Sequence, residues 1–325
     1  MRYREACYDQ QGELGKAMKT ISIVTPCFNE EENIPELYNR IKNVMMGSEH
    51  NYEHIFIDNA STDHTVELLR ALTTQDKHVK VIVNMRNFGH IRSPYYGLLQ
   101  AKGDAVIILA SDLQDPPERI SDFIQKWQDG YKVVIGVKTQ SQEAGLFYFL
   151  RTIYYRVLRK LSDVELIEHF TGFGLYDQQV IEILRNLNDP YPYFRGLIAE
   201  IGFPIARIEF VQPRRKRGIT KNNFYTLYDM AMLGLTSYTK IPLRLAAMFG
   251  FLTAGISFLV GLAYLIYKLV FWVEFSVGLA PAVIGLFFLG SVQLIFLGII
   301  GEYISAIYTQ VIRRPLVIEK ERINF

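Results

Sequence analysis

DAVIILASDLQDPPE, residues 104–118, decides the fold. An apolar run of strand character leaves the core and ends on Asp112, Gln114 and Asp115, followed by Pro116 and Pro117. A strand that stops on acids at the carboxyl edge of a parallel sheet places oxygen ligands where a diphosphate and its divalent cation are held. Asp112 supplies a hard anionic ligand, Gln114 offers its carbonyl oxygen from the same side two residues on, and the prolines stiffen the turn. An acid after an apolar strand is also an ordinary surface turn, so the reading depends on the other strand ends.

Working outward, TISIVTP, YEHIFIDNAS, VKVIVN and KVVIGV have the same strand character. EENIPELYNRIKNVM and DHTVELLRALTTQ between them carry apolar residues at helical spacing. This alternation predicts an α/β fold with a mostly parallel, Rossmann-like sheet and ligands at the strands' carboxyl ends.

Three further strand ends are polar. The first runs through Pro26 to Glu30, Glu31 and Glu32, acids that also suit a helix N-terminus. The second carries Asp58, Asn59, Ser61, Thr62 and Asp63. Ser61 or Asp63 can cap the next helix, whereas Asp58 and Asn59 stand before the cap, where a base or ribose could be hydrogen-bonded. The third brings Arg86, a charge suited to phosphate.

The chain has 325 residues, half of them hydrophobic, and a formal charge of +2, which gives no bulk attraction for nucleic acid. Cys7 and Cys27 show no metal-ligand spacing and read as free thiols of a reducing compartment. The N-terminus has no apolar core of a signal peptide. Uncharged runs at 245–267 and 275–301 each exceed the roughly 20 residues that cross a bilayer as helix. Lys240, Arg244, Arg313, Arg314 and Lys320 flank them, so the positive-inside rule predicts a multi-pass inner-membrane protein with its first domain and both termini in the cytoplasm. GLFYFLRTIYYRVLRKL, including residues 145–161, and FYTLYDMAMLGL are amphipathic and suit a membrane interface. The expected organisation is an N-terminal extension (1–18), a catalytic domain (19–220) that includes the interface helix, a juxtamembrane amphipathic helix (221–243), a two-helix hairpin (244–312) and a cytoplasmic tail (313–325). Glycines 250, 255 and 261, or 285, 290 and 298, permit close helix approach and association into a homo-oligomer.

TPCFNEEENI, RNFG, DLQDPPE, YFRGLIAEIGF and the two apolar runs together resemble the polyprenyl-phosphate glycosyltransferases of glycosyltransferase family 2, the group that includes dolichyl-phosphate mannose synthases and bactoprenol glucosyltransferases. The resemblance runs from about Lys19 onward. It implies a GT-A fold that transfers a sugar with inversion from a nucleotide diphosphate to the phosphate of a membrane polyprenyl phosphate; Asp58 and Asn59 can pair with uracil, which makes UDP the expected carrier, and the same residue types can also build a guanine pocket. On that reading Pro26, Glu30, Asp58 and Asn59 line the nucleoside pocket, and Asp112 and Gln114 hold Mg²⁺ or Mn²⁺. The segment RRKRGITK resembles the family's Arg-x-x-Gly-x-Ser-Lys element, which puts Arg215, Thr220 and Lys221 near the donor diphosphate or the acceptor phosphate. The same segment reads as a basic juxtamembrane patch for anionic lipid.

Three departures stand out: Ala110 where the family's Asp-x-Asp begins, Asn59 where many relatives have Asp, and TGFGL, with Gly172 and Gly174, in place of Gly-Asp-Phe-Arg-Leu. A lipid phosphate, with a second pKa of about 6, is largely ionised at neutral pH and needs little help from a base. What the reaction requires is charge neutralisation on the departing diphosphate. A non-catalytic nucleotide-sugar-binding scaffold is the alternative that these departures suggest. A processive polysaccharide synthase fits poorly, because neither Trp127 nor Trp272 lies in a Gln-x-x-Arg-Trp signature. Two helices without a buried charge pair offer no transport path, so a separate flippase is expected to move the product.

Overall fold

The computed structural model describes residues 18–139, 170–213, 224–270 and 279–325. They fall into two compact units, one built from the described residues up to 139, 170–213 and 314–325, the other from 224–313.

In the first unit β1 (Thr20–Cys27), β2 (Asn51–Asp58), β3 (Val79–Asn84) and β4 (Ala105–Ile108) are parallel neighbours in the order β4-β1-β2-β3. Helices α1 (Ile34–Met46), α2 (Thr65–Gln75) and α3 (Gly89–Gln100) connect them. Side chains two apart in a strand share a face, and this period sorts the core. Ile21, Ile23, Phe56, Val81 and Ile107 pack with α1, α2 and α4 (Ile120–Gln128). Val24, Ile55, Ile57, Ile82 and Val106 pack on the opposite face with α3, α5 (Gln178–Leu187) and α6 (Phe194–Glu200). Each fully buried Ile or Phe contributes on the order of 1.5–3 kcal/mol, so a strand apolar on both faces is fixed in the middle layer.

Beyond β4 the sheet becomes mixed. β6 (Phe170–Asp177) runs antiparallel to both β4 and β5 (Val133–Lys138), and β7 (Ile205–Phe210) pairs in parallel with β5. The full order is β7-β5-β6-β4-β1-β2-β3-β8, where β8 (Glu319–Ile323) lies antiparallel to β3. The expected tail 313–325 is therefore corrected: it contributes the edge strand of the catalytic sheet. Glu319, Lys320, Glu321 and Arg322 are all charged, yet Val317 is buried and Ile323 packs on the core. Charged alternation is what an edge strand needs to resist pairing with another molecule.

The second unit holds α7 (Phe224–Tyr238), α8 (Ile241–Val270) and α9 (Leu279–Ile312). The apolar stretches 241–270 and 282–312 have mean hydropathy 2.0 and 2.5 and are unburied within the chain, the length and composition of membrane spans. Tyr228 Oη donates to Glu302 Oε1 at 3.0 Å and Tyr303 Oη to the Thr239 carbonyl at 2.7 Å, joining α7 and its end to α9. The expected interface helix 145–161 lies outside the described residues.

Candidate active site

Each of the four parallel strands is followed at its carboxyl end by one left-handed residue: Asn29 (φ 57°), Ala60 (φ 62°), Gly89 (φ 87°) and Leu113 (φ 60°). Such backbone is costly for a residue with a side chain, and its recurrence at one sheet edge marks where the chain is forced to turn sharply.

The turn after β4 is the tightest. Ser111, Leu113 and Asp115 are buried, whereas Asp112 and Gln114 alternate with them and are half-buried. Asp115 folds back so that Oδ2 accepts the Ala110 N–H at 3.2 Å, and Asp112 Oδ1 accepts the Gln114 N–H at 3.1 Å. Leu113 holds its strained backbone because its side chain is 4% exposed in the core. Burial pushes the Asp115 carboxyl up to about 6; the Ala110 N–H opposes that, the Asp112 charge adds to it, and Lys138 lowers it. The donor set is all oxygen, which suits Mg²⁺ or Mn²⁺. No group of three or more His, Cys, Asp and Glu able to hold a metal occurs among the described residues. Two protein ligands, completed by substrate phosphates and water, are the usual arrangement for such an ion.

The loops after β1 and β2 are clasped together. Asn29 N–H donates to Ser61 Oγ (2.9 Å), Thr62 N–H to Asn29 Oδ1 (2.8 Å) and Glu30 N–H to Thr65 Oγ1 (2.9 Å). Glu31 Oε2 accepts the His64 N–H at 2.8 Å, while Asp63 accepts the N–H groups of both Glu31 and Thr65. The N-cap of α2 is His64 and not Ser61 or Asp63, and its side chain makes no capping bond; Asp63, one residue earlier, satisfies the Thr65 N–H, and Glu31 satisfies the His64 N–H from the neighbouring loop.

Asp58 is fully buried and accepts both the N–H and the hydroxyl of Ser61. Burial raises its pKa despite those bonds. The neighbouring Cys27 thiol is free and is pushed up by burial and by the Asp58 charge. Glu30 Oε2 accepts from Asn33 Nδ2 at 2.6 Å, and Pro26 is partly exposed near the end of β1. Arg86 is exposed, lies 4.1 Å from the Phe88 ring centroid and donates to the Asn87 carbonyl. Asn59 differs from the expected base reader: its amide is bonded into the loop after β3, to Asn84, Asn87, Phe88 and Gly89. Asp58, Glu30, Pro26, Arg86, Asp112 and Gln114 all belong to the carboxyl edge of the four central strands. Arg215, Thr220 and Lys221 lie outside the described residues.

The glycine departures have local causes, crowding at Gly174 and a left-handed backbone at Gly172. Gly174 pairs with both Ile108 and Ile135, and a Cβ there would sit 2.4 Å from the Val134 carbonyl. Gly172 has φ 107°, and its carbonyl accepts the Tyr176 hydroxyl at 2.7 Å. No arginine fits at 174 in this sheet. Sequence reasoning missed two residues that build the site, Asp115 as the staple of the β4 turn and Asn87 as the partner of Asn59; only the Asn-x-Gly spacing of NFG was a signal for the latter.

Residues 22–185 match the family description of glycosyl transferase family 2. The chain is 38% identical over 299 residues to an uncharacterized glycosyltransferase, YkcC, of Bacillus subtilis, covering 91% of this chain and 92% of that protein. It is 35% identical over 302 residues to a prophage-derived bactoprenol glucosyl transferase of Shigella flexneri, covering 93% and 97%. Among solved structures, glucosyl-3-phosphoglycerate synthase of Mycobacterium tuberculosis, determined with Mn²⁺, UDP-glucose and phosphoglyceric acid, is similar over 67% of this chain and 78% of that one, with 19% identity and a TM-score of 0.45.

Proposed function

Because the chain belongs to glycosyl transferase family 2, we propose that it transfers a sugar, with inversion, from a UDP-linked donor to the phosphate of a polyprenyl phosphate at the cytoplasmic face of the membrane. The observation that carries this reading is the β4 turn near the middle of the sheet, where the half-buried Asp112 and Gln114 alternate with the buried Ser111, Leu113 and Asp115. Relatives named bactoprenol glucosyl transferases support the polyprenyl acceptor, and the two apolar helices support access to a lipid that does not leave the bilayer.

Asp112 and Gln114 would hold Mg²⁺ or Mn²⁺, which supplies charge neutralisation for the departing diphosphate. Asp58, Pro26 and Glu30 line the nucleoside side, and Arg86 adds positive charge near the phosphates. Arg215, Thr220 and Lys221 serve the donor diphosphate or the acceptor phosphate. The ionised acceptor oxygen attacks the anomeric carbon opposite the leaving group; its bond to the sugar forms as the bond to the diphosphate breaks, and the electron pair departs with UDP. No side chain is required to remove a proton, in keeping with glycines at 172 and 174. Since β8 follows the hairpin and pairs with β3, the chain returns to the side it left. This supports an even number of crossings, and the basic residues Lys240, Arg244, Arg313 and Arg314 support the cytoplasmic side.

The test uses full-length protein in nanodiscs with undecaprenyl phosphate, UDP-glucose and Mn²⁺. A lipid-linked glucose of inverted configuration is expected by mass spectrometry and NMR, with Asp112→Asn at least about a hundredfold slower. Absence of glycolipid with every UDP-sugar tried, or equal rates for Asp112→Asn and wild type, overturns the reading.

A further inference from the structure

Asn59 is 7% exposed, and all four hydrogen-bonding positions of its amide are occupied. Oδ1 accepts from the Phe88 N–H at 2.9 Å and from Asn84 Nδ2 at 3.2 Å. Nδ2 donates to Asn87 Oδ1 at 2.9 Å and to the Gly89 carbonyl at 3.3 Å. A backbone N–H can only donate and a carbonyl only accept, so Phe88 and Gly89 fix which end of the amide is oxygen. The network extends inward, as Asn84, 1% exposed, also donates to Ser93 Oγ on α3 at 3.0 Å. It closes outward through the Gly89 N–H, which donates to Asn87 Oδ1 at 2.8 Å. Gly89 has φ 87° and open space where a Cβ would project, so the backbone conformation, not crowding, calls for glycine there.

One side chain at the end of β2 therefore sets the shape of residues 87–89, and Arg86, stacked on Phe88, goes with them. We infer that Asn59 is a positioning residue: it pins the loop after β3 from the neighbouring strand, so that Arg86 meets the donor diphosphate from a preformed arrangement. A base bound by Asn59 would have to displace two of these bonds, each worth about 1 kcal/mol net and more when a buried group is left unpaired. A carboxylate at 59 keeps the two acceptor functions and loses the two donor functions, setting an oxygen against Asn87 Oδ1 and the Gly89 carbonyl. The pinning stands on geometry alone; what it does for Arg86 rests on the proposed function.

The experiment compares full-length wild type with Asn59→Asp, Arg86→Ala and the double variant in nanodiscs, using hydrogen exchange of residues 85–90 and binding of UDP with Mn²⁺ by calorimetry. Asn59→Asp is expected to exchange at Phe88 and Gly89 at least tenfold faster, with exchange in β1 unchanged, and to bind UDP about tenfold more weakly. The double variant is expected to bind within about twofold of Arg86→Ala, because the two residues act in series. Unchanged exchange in the loop, or a double variant weaker by the full product of the single effects, overturns the inference. If Asn59→Asp does not fold, Asn87→Ala breaks the same bond from the exposed side and carries the same expectations. If wild type binds no UDP, the donor reading fails while loop exchange still decides the pin.

Discussion

At the amino edge of the sheet Glu53 is buried against Lys80 Nζ at 2.6 Å, the Ser22 hydroxyl and the Lys102 N–H. At the carboxyl edge Asp58 and Asp115 are buried against hydroxyl and backbone donors. Burial works to raise all three pKa values. At Glu53 the bonds from Lys80, Ser22 and Lys102 outweigh it and hold the carboxyl below its ordinary value, whereas Asp58 and Asp115 stay raised. At one edge a cation compensates the buried carboxylate; at the other, hydroxyl and backbone donors leave burial the stronger influence. The backbone agrees, for the left-handed residues after β1 to β4 all lie on the second edge.

The contrast breaks most visibly at Glu53. Glu53→Ala leaves Lys80 and Ser22 without their acceptor and is expected to cost about 3–5 kcal/mol, seen as early thermal unfolding, while UDP binding by the folded fraction is retained. Asp112→Asn is the converse: transfer falls by roughly a hundredfold or more, about 3 kcal/mol of transition-state stabilisation, with the unfolding temperature unmoved. A fall in stability with Asp112→Asn would erase the distinction between the edges.

Between the edges His54 is buried in β2, its Nε2 2.9 Å from Thr25 Oγ1 and its Nδ1 without a partner. Burial lowers its pKa to about 3. Above pH 6.5 the imidazole is neutral in folded and unfolded chains alike. Below it the unfolded chain takes up a proton that the folded chain refuses, so stability declines from pH 6.5 toward 3 by about 1.4 kcal/mol per unit. His54→Phe is expected to reduce that slope in pH-dependent unfolding.

The smallest effect belongs to Ala60. At φ 62° and partly exposed, it gains from Ala60→Gly, which relieves left-handed strain at a cost in unfolded-state entropy, for a net of about 0.5–1 kcal/mol. A loss of stability would mean that the turn is held by the methyl group and not despite it.

The first five strands were legible because apolar residues on both faces at strand length leave no other reading. β6 was not, since Gly172 and Gly174 lower strand propensity, and only the left-handed backbone at Gly172 and the close approach of Val134 to Gly174 explain them. β8 was hidden by its charges. At the site, each polar strand end could be read from its own segment, because the acids and amides follow directly on the apolar runs. The clasp of Glu31 on His64 and the four bonds of Asn59 could not, because they join residues about thirty positions apart whose proximity only the folded sheet creates.

The position of β8 in the chain sets an order of events during synthesis. The ribosome makes β1 to β7, then both apolar helices, and only afterwards the strand that covers β3. While α8 and α9 are being made, the nascent domain carries a bare, pairing-competent edge. Closure of the sheet therefore waits on the synthesis of both apolar helices, for β3 gains its outer neighbour only once residues 319–323 have been made.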